Sequence, residues 1–427
     1  MCFRYVSPTN YWLATLPSPV HRGNLLNLVR RLWPLCRLAG LLPMSTARCQ
    51  CPAGASWKTC SCQPLLPSAY WLAYSLLLAA MVVTLTAVNV TPDFSNNYVA
   101  VNNTNATVVS GPMNHFVCWF DVVSVAVTAA TSILQGAVAQ AAVLRLIALL
   151  KKVDLLLSYI PRGVSNWVPL ILSCLTSVMF LDLVFKFSIS AASATFSFPT
   201  YASYFITYMR EVMFVDDVNG LNARFANINS ELQDCLAPEY TFGTVTAAEK
   251  RRMRISRLAT VFDMLCQSAD LVAHQYSLFL LCDMLSLMVR LVITAYFIVR
   301  VLMVSEDFPL AMVFFVIVQA LWLLSHLARM FLLVAPCSTA MDVTDRTGNI
   351  VSSSLGRESQ DSQLSRQLKS LSIHLLHRKI GFSAFGVFNL NLPLVCTVLS
   401  AVTTYLVVLI QLEVPLEGEA GLRVAHG

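Results

Sequence analysis

Charge is what this sequence lacks. Of its 427 residues only 12% are Asp, Glu, Lys or Arg, while 56% are hydrophobic. A soluble protein of this length carries about 25% charged residues. So few charges cannot cover a water-facing surface, which excludes a soluble globular enzyme and implies an all-α polytopic membrane protein. Catalytic signatures are missing too: there is no Walker loop, no HExxH, no nucleophile elbow and no triad arrangement, so no enzyme and no cofactor are expected. The net charge of +6 is modest, and the basic residues sit between apolar runs, which fits membrane orientation rather than nucleic-acid binding. No cleavable leader is expected, because the first long apolar stretch begins only near Tyr70. Most of the thirteen cysteines lie singly in apolar runs, where a thiol packs as a small hydrophobe. The pairs Cys49/Cys51 and Cys60/Cys62 have no intervening His and no zinc-finger spacing, so no metal site is expected.

Seven segments approach the roughly 20 apolar residues that a membrane helix needs: Tyr70–Asn89, His115–Leu150, Val164–Ser190, Thr195–Val215, His274–Val304, Phe308–Ala335 and Ile380–Leu412. Several carry charge, including Asp121, Asp182, Lys186, Arg210, Asp283 and Arg290. Before Tyr70 there are seven Lys or Arg and no acid, whereas Val90 to Asn114 has no Lys or Arg. The positive-inside rule then puts the N-terminus in the cytosol and the C-terminus outside. The sequons at Asn102 and Asn105 fall in the first loop, on the side where glycosylation occurs. Read this way, the chain has a cytosolic segment over 1–69, four spans over 70–215 and a cytosolic helical connection over 216–273. Two spans follow over 274–335, a cytosolic loop and pre-pore helix over 336–379, a pore helix over 380–412 and an extracellular tail over 413–427.

Four features of the sequence invite a function. Val218, Leu221, Phe225, Ile228 and Leu232 step by 3 and 4, an apolar stripe that predicts helices continuing the fourth and fifth spans and packing together in the cytosol. The stripe is also expected to serve assembly. By contrast, Cys337–Ser365 is rich in Ser, Asp and Arg and predicts a flexible loop. Asp182 and Lys186 form an i, i+4 pair in the third span, suited either to a polar ligand pocket or to a structural ion pair. Tyr201, Tyr204 and Tyr208 step by 3 and 4 in the fourth span. They fit a sugar or bitter aromatic ligand, and they fit an interfacial aromatic belt better. Arg290 is expected to meet Asp283 or a lipid headgroup.

Three stretches carry a family resemblance: RLWPLCRLAGLLP at 31–43, DDVNGLNARFANINSELQ at 216–233, and GFSAFGVFNLNLPLVCTVLSAVTTYLVVLIQL at 381–412. Together they resemble the insect gustatory receptors of the odorant and gustatory receptor superfamily. The last is the most specific. The family closes this region on Thr-Tyr, five apolar residues, then Gln-Phe; Thr404, Tyr405 and Gln411 match, and Leu412 departs from Phe. The inverted seven-span topology agrees.

The resemblance implies a ligand-gated, non-selective cation channel in the plasma membrane of sensory neurons. It would be a homo-tetramer or a hetero-tetramer with related subunits, surrounded by lipid, opened by a small-molecule tastant and passing cations through a pore lined by the last helix. On that helix Thr404, Val408 and Gln411 share a face. Four copies would offer hydroxyls, a valine constriction that gates by dewetting, and a ring of amides for a passing cation. Tyr405 points off that face and is expected to anchor packing. The alternatives are a G-protein-coupled receptor, which needs the opposite orientation, and a secondary transporter, whose internal repeats are not seen here.

Overall fold

The computed structural model describes residues 34–46, 65–90, 112–157, 167–189, 191–237, 245–304, 310–357 and 362–425. Asn102 and Asn105 and the paired cysteines at 49, 51, 60 and 62 lie outside the described residues. A short helical stretch at 34–38 leads into β1 (Met44–Thr46), which pairs antiparallel with β2 (Leu65–Pro67). The helices follow as α1 (Ala69–Val90), α2 (Pro112–Val138), α3 (Gln140–Leu157), α4 (Trp167–Ile189) and α5 (Ala191–Cys235). Then come α6 (Val245–Val304), α7 (Leu310–Arg357), α8 (Ser362–His377), the β3–β4 hairpin (Ser383–Ala384 and Phe388–Asn389) and α9 (Leu392–Ala425). Each expected span is met by a helix: α1, α2, α4, α5, α6, α7 and α9. Five of the helices are long and apolar enough to cross a membrane by length and composition.

α6 is the organising element. Its 60 residues exceed what any bilayer requires, since about 20 suffice. It touches α2, α3, α5, α7 and α9. Beyond the apolar part, α5 and α6 run on together and bury the predicted stripe: Val218, Leu221, Phe225, Ile228 and Leu232 are each 1% exposed or less, packed with Leu258, Phe262 and Leu265. Phe225 and Phe262 meet edge to face at 5.5 Å. Such a stripe contributes about 1.5–3 kcal/mol per large side chain. It does so inside one chain, which corrects the expectation that it is an assembly surface: the buried face has no area left for a second copy.

Three boundaries differ from the sequence expectation. His115–Leu150 is not one helix. It breaks at Ala139, and α3 turns aside to bury Leu146, Leu150, Val153 and Leu157, spaced 4, 3 and 4, against α6. The flexible loop expected over Cys337–Ser365 is mostly helix, because α7 continues to Arg357. Hydropathy is low there, and the order comes from α5: Asn222 Nδ2 donates to Pro336 O at 2.9 Å, Asn229 Nδ2 to Val343 O at 2.8 Å, and Thr347 Oγ1 to Asn229 Oδ1 at 2.6 Å.

The last span begins at Leu392 rather than Ile380. Residues 383–389 form a hairpin whose tip holds Phe385 at φ 51° and Gly386 at φ 76°. Leu390 N closes it on Phe382 O at 2.8 Å, and Asn391 Oδ1 accepts from Leu394 N at 3.2 Å, capping α9.

The segment before the first span is clasped into the bundle. Leu41 and Met44 are fully buried, and the Arg37 guanidinium lies 3.8 Å from the Trp71 ring centroid. At Gly136 of α2 the backbone of Leu41 approaches so closely that a Cβ would sit 2.5 Å from Leu41 O. Only glycine admits that approach.

Candidate ligand site and pore face

Four helices turn polar stripes towards one another inside the spans. On α5, Tyr201, Tyr204, Tyr208 and Glu211 follow steps of 3, 4 and 3; on α7, Trp322, His326 and Arg329 follow 4 and 3; α4 adds Asp182 and Lys186, and α6 adds Asp283 and Arg290. These spacings keep each set on one helix face. Charges in this setting persist only when paired or functional.

At the end near α4, Lys186 Nζ lies 3.3 Å from Asp182 Oδ2, and Tyr201 Oη donates to the same oxygen at 2.6 Å. The Lys186 nitrogen stands 5.2 Å from the Tyr201 ring centroid. Next comes an aromatic layer: Tyr204 meets Trp322 at 5.0 Å and Tyr208 at 5.9 Å, and Trp322 stacks on His326 at 5.5 Å. Arg290 caps Tyr204 at 4.4 Å, a cation–π contact in a desolvated site. Its Nε lies 3.3 Å from Asp121 Oδ1 on α2. Deeper still, Arg329 caps Tyr208 at 4.4 Å and joins Glu211 to Asp283.

Asp182, Lys186, Tyr201 and Tyr204, singled out in the sequence, are thus brought to one place. The tyrosines do not form an interfacial belt. Tyr201, Tyr204 and Tyr208 are all buried, because helical spacing fixes a common face but not whether that face meets lipid or protein. Arg290 does not reach Asp283 either. Seven residues separate them on one helix, a rise of about 10 Å, so Arg290 pairs across to Asp121. Glu211, Trp322, His326 and Arg329 escaped the sequence reading. The 4, 3 spacing of the last three in an otherwise apolar run was the available signal.

The arrangement can hold a small molecule by two kinds of contact. Ring faces of Tyr204 and Trp322 suit an apolar or aromatic surface. Arg290 Nη1 and Nη2 and His326 Nδ1 are buried without a hydrogen-bond partner among the described residues, and buried polar atoms of this kind call for a partner. Among the described residues no cluster of three His, Cys, Asp or Glu side chains could hold a metal ion.

The expected pore residues lie elsewhere, on α9. Of its apolar stretch Leu392–Gln411 only Val402 is buried among the described residues. Val402, with Leu394, Val395, Val398 and Leu409, faces the core, while Thr404, Tyr405, Val408 and Gln411 are exposed. Thr404 Oγ1 donates to Ser400 O at 3.0 Å. Tyr405 is 54% exposed, so it anchors nothing within its own chain. Leu412 continues the same helix.

Comparison with known proteins decides the family. The model of the 7tm chemosensory receptor family matches residues 29–414, nearly the whole chain. The chain belongs to that family. Within it, the gustatory receptor for sugar taste 43a of Drosophila melanogaster is 27% identical over 195 residues, covering 46% of this chain and 42% of that relative. The chain therefore matches under half the length of this curated receptor. In fold it is similar to the insect olfactory receptor OR5 from Machilis hrabei, at a TM-score of 0.52 and 12% identity over 91% of this chain and 99% of that one. The same receptor in complex with eugenol gives a TM-score of 0.54 at 11% identity. The chemosensory receptor assignment agrees with the helical multi-pass architecture and with the missing catalytic motifs, since the family is one of receptors rather than enzymes.

Proposed function

We propose that this receptor is a subunit of a tastant-gated, non-selective cation channel, with its N-terminus in the cytosol, its C-terminus outside and a pore lined by α9. The observation that carries the reading is the uncovered face of α9. An apolar helix that its own chain leaves bare needs lipid or further copies to cover it. On that bare side Thr404 and Gln411 add a hydroxyl and an amide, separated by Val408. An amide facing lipid is costly, whereas in a shared pore it replaces water around a cation, and valines between the polar rings supply a dewetting gate. Four copies around one axis fit this use, as a homo-tetramer or with related subunits. The cytosolic regions, 216–273 and 336–379, then form a helical base beneath the membrane, and sequons Asn102 and Asn105 face outwards. Plasma membrane of a sensory neuron is the setting this role requires.

The tastant would sit among Asp182, Lys186, Tyr201, Tyr204, Arg290, Trp322 and His326. Ring faces beside unpartnered donors suit a compact molecule with an apolar face and hydroxyl or carbonyl oxygens. The sugar-taste relative and the eugenol-bound olfactory receptor both fit that description by name. Both halves are tested by whole-cell recording at matched surface expression. Gln411→Glu is expected to raise divalent permeability and Gln411→Lys to depress cation current, because four added charges near one axis interact strongly. Val408→Ser is expected to raise basal leak. Unchanged reversal potential and leak in all three would put this face outside the conduction path. Trp322→Ala is expected to abolish the tastant response while leaving the leak of Val408→Ser intact in the double variant.

A further inference from the structure

Charge does not balance in the layer around Arg329. Four carboxyls, Asp121, Asp182, Glu211 and Asp283, face three cations, Lys186, Arg290 and Arg329. Asp182 is taken by Lys186 on its own helix, and Asp121 of α2 by Arg290 of α6. Arg210, beside Glu211 in sequence, turns to another layer, where it caps Tyr276 at 4.2 Å; Tyr276 in turn donates to Asp217 at 2.8 Å. That leaves Arg329 of α7 alone between Glu211 of α5 and Asp283 of α6. Its Nε donates to Glu211 Oε1 at 2.9 Å and Oε2 at 3.1 Å, while Nη2 reaches both Glu211 and, at 3.3 Å, Asp283 Oδ1. Tyr208, whose ring lies 4.4 Å from the Arg329 guanidinium, and His326, three residues before Arg329 on α7, complete the surroundings.

The two carboxyls are buried, with Asp283 at 0% and Glu211 at 6% exposure. Both accept from the same Arg329 Nη2, which holds the two carboxyls close together. Two ionised carboxylates at that separation, sharing one guanidinium in a desolvated interior, repel strongly. With both ionised, Asp283 Oδ2 has no donor facing it. One added proton answers both problems: it makes the layer neutral and removes the repulsion between two carboxylates that share one guanidinium.

We propose that Glu211 and Asp283 form a proton-binding site that holds one shared proton per chain at neutral pH, clamped by Arg329. The site fastens α5, α6 and α7 at one point, so a rearrangement that parts these helices must release the proton to water or carry it with one carboxyl. The site does not depend on whether α9 lines a pore.

Infrared spectroscopy of the full chain in vesicles of neutral phospholipid tests this directly, because a protonated carboxyl has a C=O stretch that a carboxylate lacks. At pH 7 the wild-type band is expected to exceed that of Glu211→Gln and that of Asp283→Asn by one carboxyl per chain, the part common to all three coming from Asp216 and Asp217. Both variants are expected to fold, since each keeps one carboxylate for one guanidinium. A wild-type spectrum without the band, including one in which added sodium ions alter the carboxylate bands instead, overturns the proposal. So does a band of undiminished intensity in both variants, which would place the proton elsewhere, or a failure of both variants to reach the membrane folded.

Discussion

Arg224 of α5 grips Asp154 of α3 with two parallel hydrogen bonds, Nε to Oδ1 at 2.8 Å and Nη2 to Oδ2 at 2.9 Å, while Nη1 donates to Gly220 O at 2.8 Å. The guanidinium fork is thereby filled at all three nitrogens and almost wholly buried, at 3% side-chain exposure. A lysine cannot reproduce a bidentate grip. Arg224→Lys is expected to cost about 1–2 kcal/mol, and Arg224→Ala roughly 3 kcal/mol because Asp154 is left half-buried and unpaired. Thermal melting of the detergent-solubilised receptor should rank wild type above Lys above Ala; equal melting for all three would show that the pair stabilises nothing.

The stripe on α5 is the second point at which folding can be tested separately from assembly. Phe225 and Leu221 lie in the core of a single chain. Phe225→Ala is expected to cost about 3–5 kcal/mol through the cavity it leaves. Fluorescence-detected size exclusion should then show aggregated or degraded chain. Recovery of a folded, smaller particle would instead restore the stripe as a contact between copies.

Asp216 and Asp217 sit where α5 leaves the apolar zone. Burial first, and then the Asp217 carboxylate beside it, pushes Asp216 up to about 7; burial pushes Asp217 up to about 6 against the opposing hydrogen bond from Tyr276. A carboxyl whose folded-state value lies above its unfolded value, about 3.9, binds its proton more tightly when folded. The stability it contributes is full below the unfolded value and is lost as pH rises through about 6 and then about 7. Melting temperature is therefore expected to fall between pH 5 and 8 on this account, and Asp216→Asn to flatten that slope and melt a few degrees higher at pH 8. An unchanged slope in the variant would remove Asp216 from the explanation.

How much of this could be seen in the sequence depends on which force shapes each part. Helices α1, α2, α4 and α6 announce themselves because hydropathy alone drives them into a bilayer, and the stripe at Val218–Leu232 was visible because one buried face imposes a 3, 4 rhythm. The distal half of α7 was not visible, because it is held by Asn222 and Asn229 reaching from α5, and long-range hydrogen bonds leave no local pattern. The hairpin at 383–389 was misread as span because Phe382, Ala384 and Leu390 are apolar for the sake of burial against the bundle rather than against lipid. At the candidate site, charge singled out Asp182 and Lys186, which form an ion pair, yet it could not pair Arg290 with Asp121 across 169 positions of chain.

Gly136→Ala offers a sharp local test of the clasp over α2. Its new methyl would collide with backbone, not with a side chain that could swing aside. Loss of roughly 2 kcal/mol or more is expected from the overpacking, read as a lower melting temperature together with faster labelling of a cysteine placed at Leu41. Labelling as slow as in the Gly136 parent would mean the segment stays docked.

That same clasp has a bearing on how the chain is made. Leu41 leaves the ribosome about a hundred residues before Gly136, and synthesis at roughly 5–20 residues per second makes the interval on the order of 5–20 s. Throughout it, Leu41 has only the α1 half of its docking surface, Ala79 and Val82, since α2 has yet to be delivered to the membrane. Biogenesis of this receptor thus includes a waiting period in which residues 34–46 are half docked and a client for chaperones or for the membrane surface, and lengthening the chain between α1 and α2 should prolong that wait and lower the yield of folded receptor.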